Sequence, residues 1–199
     1  MSPQHQITAL IQAADQGAES YTLINPWNSR RKFAAFACVA EHYGYRYAGL
    51  SPDFNTGRSY PVFAFRRLPD ADRRLAHARA QWPQATNGGP LPGMRPDGRA
   101  LTPLPEHQRE VDLLHARIMV DLYGTSRFAR LKRLALLVPM GFFAAVALTG
   151  ALVTAGLALA GGASAIWLAY LFLSSAFMRR RHITYRRRLE AADITWPPR

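Results

Sequence analysis

The chain has 199 residues, with 25 Lys and Arg against 13 Asp and Glu, and one cysteine, Cys38. That count excludes an intramolecular disulfide and any zinc site built from several cysteines of one chain, and the length allows one or two domains. The net charge of +12 is unevenly placed: residues 1–125 carry 14 basic and 11 acidic side chains, residues 126–199 carry 11 and 2. The excess lies beside the longest apolar run, where the positive-inside rule and anionic lipid headgroups both favour it, so it points to a membrane before nucleic acid. Only Lys32 and Lys132 are lysines, the composition of a GC-rich, bacterial genome. Residues 1–19 lack the basic and apolar regions of a signal peptide, so nothing is expected to send the first 125 residues outward.

In chain order, Ile7, Leu10, Ile11 and Ala14 recur at helical spacing, and Gly17 ends that amphipathic helix. Residues 21–25 read as a strand. Pro26 and an N-cap at Asn28 or Ser29 then introduce a helix over 30–42, with Phe33, Phe36, Ala37 and Ala40 as its apolar stripe, and Gly44 stops it. Residues 45–50 and 60–67 are rich in aromatics and form a hairpin with a long polar connection. Asp70 suits the N-cap of a helix reaching Trp82. The order α-β-α-β-β-α over residues 1–82 predicts a small cytosolic α/β sandwich with a three-stranded sheet.

Residues 83–105 contain six prolines and four glycines, a composition that sustains neither a helix nor a central strand and reads as a linker. Amphipathic and juxtamembrane helices follow over 106–133. The first carries Val111, Leu114, Ile118 and Leu122 on one stripe and ends at Gly124; the second leads Arg127, Arg130, Lys132 and Arg133 to the membrane.

From Leu134 to Met178 there are 45 residues without Asp, Glu, Lys, Arg or His. One helix of that length would reach about 67 Å, roughly twice the hydrocarbon thickness of about 30 Å. The run therefore predicts a transmembrane hairpin with spans of about 134–157 and 160–178. The turn falls within 156–164, and Gly161-Gly162 is its best point. Arg179, Arg180 and Arg181 close the second span and open a basic tail, 179–199, in which Arg186, Arg187 and Arg188 continue the helix. Basic residues flank both outer ends and none lies between, so both termini are expected on the cytoplasmic side of the inner membrane. The absence of ionisable residues in the spans argues against a coupled transporter. Gly141 with Ala145 and Ala147 with Ala151 form small-residue pairs at spacing four, and with Gly150 they suit close helix packing, within the hairpin or between copies.

No catalytic signature is present: a Gly-x-Ser-x-Gly elbow, a Walker A loop and a Gly-x-Gly-x-x-Gly turn are all missing. Glu106, His107, Glu110, Asp112 and His115 cluster on one helix without metal-ligand spacing and read as a solvated face. Cys38, among Phe36, Ala37, Val39 and Ala40, reads as a buried structural thiol. Neither metal nor cofactor is expected. Arg30, Arg31, Lys32, Arg66 and Arg67, near Phe33, Tyr45, Tyr47 and Phe65, form a candidate contact for nucleic acid or anionic lipid, although a domain charge of +3 is small for a nucleic-acid binder.

The sequence thus predicts an α+β membrane protein: a non-catalytic tether or scaffold presenting a small interaction domain and self-associating in the bilayer. Its expected partners are the lipid bilayer, anionic lipid at the basic flanks, and a second copy or another membrane protein. The alternatives are a pore-forming effector assembled from the hairpins and a membrane-bound nucleic-acid-binding accessory protein of a mobile element.

Overall fold

The computed structural model describes residues 3–51, 60–96, 101–124, 137–141, 144–145, 147 and 154–197. The chain divides into two compact units, one of Met1–Asp121 with Arg188–Arg199 and one of Leu122–Arg187.

The first unit contains helices α1 (Pro3–Asp15), α2 (Arg30–His42), α3 (Ala71–Gln81) and α4 (Gln108–Leu122) and strands β1 (Ser20–Ile24), β2 (Tyr45–Leu50) and β3 (Val62–Arg67). The strands form one antiparallel sheet in the order β1-β3-β2. Tyr21 and Leu23 pair with Phe65 and Phe63, and Tyr47 pairs with Phe65, which puts these side chains with Tyr45 on one face. The opposite face carries Thr22, Arg46 and Arg66.

Helix α2 covers the apolar face. Its start is fixed by Ser29, whose hydroxyl accepts from the Lys32 N–H at 3.3 Å. Every residue from Phe33 to Ala40 is buried, beyond the single stripe the sequence predicts, because α1 and α3 pack against α2 as well. Phe33 lies 4.4 Å from Phe63 between ring centroids, and Phe36 meets Phe65 edge-on at 6.0 Å. Strand β3 begins at Val62, after Pro61, which cannot donate to a ladder. Asp70 stands at the N-cap of α3 but makes no cap hydrogen bond; its carboxylate accepts from Arg74 Nε at 2.9 Å and Arg73 at 3.2 Å.

The Pro/Gly segment 83–105 departs from the linker expected of it. Its described residues form no long regular element, as the prolines dictate, yet several of them are packed. A 3₁₀ turn at Ala85–Asn87 lies against α1, Met94 bridges to Pro103, and Ala85, Met94 and Leu101 are buried. A second 3₁₀ turn, Pro105–His107, leads into α4, whose predicted stripe of Val111, Leu114, Ile118 and Leu122 is buried.

The second unit contains one long apolar helix, α5, which runs from Thr154 and whose last residues, Arg188 to Glu190, belong to the first unit. The turn expected at Gly161-Gly162 is corrected here, because α5 is continuous through both glycines. A Cβ at either would meet nothing within 4 Å, so neither is needed for a bend or a close approach. Glycine costs a helix about 1 kcal/mol in water, whereas breaking one in hydrocarbon leaves several backbone groups without partners at several kcal/mol each. Within Gly161–Glu190 α5 is long and apolar enough to cross a membrane, and only 11% of its most apolar window is buried, unlike the core helix of a soluble fold. Residues 137–141, 144–145 and 147 are helical. The rest of the predicted first span, including Gly150 and Ala151, and the juxtamembrane Arg127, Arg130, Lys132 and Arg133, lie outside the described residues.

Candidate functional site

The residues predicted from sequence fall in three places. Arg179, Arg180 and Arg181 are exposed on α5, and Arg181 lies over the Phe177 ring at 4.9 Å. Gly141, Ala145 and Ala147 are exposed, and nothing approaches the position of a Gly141 Cβ within 4 Å.

The arginines of the aromatic-basic surface do not form one face. Arg30, Arg31 and Lys32 occupy the first turn of α2, which follows the Ile24 end of β1, where that strand pairs with Val62. Arg66 and Arg67 sit at the other end of β3, opposite Ser20, Arg46 and Tyr45. The length of α2 separates the two sets. Arg31 pairs with Asp112 at 3.1 Å and Arg67 with Asp72 at 2.5 Å. Phe33, Tyr45, Tyr47 and Phe65 are at most 2% exposed, so their rings are core and offer no stacking platform.

A different constellation stands between β2 and α4. A bulge between Tyr47 and Gly49 interrupts the β2–β3 register, and Gly49 adopts φ 113. Tyr47 then reaches α4, where its hydroxyl donates to Asp121 Oδ2 at 2.7 Å. Asp121 Oδ1 accepts from the indole N–H of Trp196 at 2.8 Å. The Trp196 ring stacks on Tyr47, with centroids 5.7 Å apart and planes at 22°, and the Arg117 guanidinium lies 5.5 Å from the indole centroid. Arg117 and Asp121 are four residues apart on α4, hence on one face of it.

Burial raises the Asp121 pKa, and the hydrogen bonds from Tyr47 and Trp196 oppose that rise. Burial and the adjacent Asp121 carboxylate push the Tyr47 hydroxyl well above its usual value, and burial lowers the Arg117 pKa. Beside these groups a cleft of about 290 Å³ is lined by Glu41, Arg46, Glu110, Leu113, Leu114 and Arg117. Glu41 pairs with Arg46 at 2.6 Å, and the buried Nε of Arg117 has no hydrogen-bond partner. Cys38 is fully buried; burial first, then Glu110, push its thiol up to about 12. Among the described residues no group of three or more His, Cys, Asp or Glu could hold a metal ion.

Sequence reasoning missed this constellation because Tyr47 and Trp196 lie 74 and 75 residues from Asp121. The tail itself offers only Trp196, followed by Pro197 and Pro198, as a signal. No protein family, curated protein or solved structure matches the chain.

Proposed function

We propose that the chain is a two-span inner-membrane tether: a hairpin anchors it, both termini lie in the cytoplasm, and the α/β unit serves as a non-catalytic interaction domain. The observation that carries this reading is the surface of α5. Leu159, Ile166, Phe172 and Leu173 are each at least 67% exposed, and Tyr170 and Phe177 are also open. Between Ile166 and Met178 only Leu171 is buried; with Ser164, seven residues before it, it marks one narrow seam. A helix apolar on most of its circumference and exposed over that surface has hydrocarbon as its natural solvent. Arg179, Arg180 and Arg181 then stand where anionic headgroups would meet the helix. The small residues at 141, 145 and 147 give copies of the chain a surface for association in the bilayer.

Alkaline carbonate washing of membranes from cells producing the full chain tests the anchor. The chain should stay in the pellet, and joint replacement Ile166→Arg and Phe172→Arg should move most of it out, since each arginine near a helix centre opposes insertion by about 2.5–3.5 kcal/mol. Release of the unaltered chain by the wash would contradict the anchor. A tether leaves the membrane potential intact, so dissipation on expression would favour a pore instead.

A further inference from the structure

The chain leaves α5 through a capped reversal. The Leu189 carbonyl accepts from the N–H groups of Ala192 at 3.0 Å and Ile194 at 2.9 Å, the Glu190 carbonyl accepts from Asp193 at 3.0 Å, and Asp193 takes φ 54. Leu189, 1% exposed, pins the start of this reversal inside the first unit. The residues beyond it carry Trp196 into the groove between β2 and α4. There each surrounding group reads a different property of an indole: the Tyr47 ring its flat face, Arg117 its electron-rich face, and Asp121 Oδ1 its N–H. A phenylalanine would satisfy the first two and leave a half-buried carboxylate oxygen without this donor. Gly49 contributes its backbone conformation at φ 113 rather than room, since a Cβ there would lie at ordinary contact distance, 3.7 Å from Asp121 and 3.9 Å from the indole.

We propose that this groove is an indole-recognition site occupied by the chain's own Trp196, and that the clasp requires an even number of membrane crossings between Asp121 and Arg188. The second half rests on the membrane reading above. Residues on both sides of the membrane segment belong to one folded unit, so α5 cannot be the only crossing. Its companion must come from residues before Thr154, where the charge-free run begins at Leu134.

The test uses the full chain in lipid nanodiscs with 5-fluorotryptophan at its four tryptophans, Trp27, Trp82, Trp167 and Trp196. Trp196→Phe assigns one ¹⁹F resonance. That resonance should lie away from the position of fluorotryptophan in an unstructured peptide, and Tyr47→Phe and Asp121→Ala should each move it toward that position. Unchanged Trp27 and Trp82 signals report that the domain is still folded; if Asp121→Ala disturbs them, Tyr47→Phe decides. A Trp196 resonance at the unstructured position in the unaltered chain, or one that Tyr47→Phe does not move, overturns the indole site. For the crossings, His5→Cys and Arg199→Cys chains are treated with an impermeant maleimide in right-side-out and inverted vesicles. Labelling of both from the same face is expected, and labelling from opposite faces overturns the even count. A chain washed off the vesicles by carbonate overturns the membrane reading and the crossing rule together, and the NMR outcome for the indole site stands separately.

Discussion

Gly44 joins α2 to β2 at φ 89, where an added Cβ would lie 2.6 Å from the Ala71 Cβ and 2.7 Å from its Cα. Those atoms open α3 and cannot retreat as a flexible side chain would. Gly44→Ala therefore combines backbone strain with overlap and should lower the stability of the first unit by about 2 kcal/mol or more, read as a shift in the denaturant midpoint. An unchanged midpoint would contradict this packing. Titration supplies a second residue-scale prediction. Burial lowers the His42 pKa, Glu110 and Glu41 oppose the shift, and His107 and Arg74 add to it. Burial likewise lowers His115, Asp112 opposes, and Arg31, Arg30 and Arg188 add to the lowering. A base with a depressed folded pKa contributes stability that is present above its unfolded value of 6.5 and lost as the pH falls through the folded value. The first unit should weaken as the pH falls below 6.5, and His42→Gln should flatten that slope. Asp121 has the opposite sign: its raised pKa contributes stability present below 3.8 and lost as pH rises through the folded value.

Much of the element plan was readable because local chemistry decides it. The boundaries of α2 follow from the Ser29 cap and Gly44, and the inward faces of β2 and β3 follow from their aromatics. The burial of α2 on all sides was not readable, because alanines at 34, 35, 37 and 40 look alike whether they face solvent or another helix. The Pro/Gly segment misled for a related reason: prolines exclude regular hydrogen bonding but not burial, and Met94 and Leu101 find apolar contacts without it. At Gly161-Gly162 the helix continues through both glycines; on the proposed reading, hydrocarbon makes unpaired backbone groups costlier than flexible ones, a term the aqueous propensity of glycine omits. Replacing both glycines by alanine should leave α5 helical, with no change in membrane retention. Helix loss by circular dichroism, or loss of retention, would show that the pair serves as a turn.

At the scale of the molecule, the reading depends on two features that are remote from each other in sequence. The charge-free run was legible at once, because no soluble core requires 45 successive residues without a charge. The clasp was not, since Tyr47, Asp121 and Trp196 are joined only by folding, and no short spacing announces three groups drawn from β2, α4 and the tail. Together they describe a first unit that the residues after the apolar helix rejoin. The central claim is that α5 is immersed in lipid. The 25 residues from Thr154 to Met178 span about 37 Å of helix, enough for a bilayer with some tilt, and their midpoint is Ile166. Spin labels placed one at a time on α5, in chains reconstituted into liposomes, would measure collisions with oxygen and with a water-soluble nickel complex. The account predicts minimal nickel access near Ile166 and a steep rise between Met178 and Arg181. Nickel access that stays high throughout, or that oscillates every 3.6 residues along the whole helix, would contradict it.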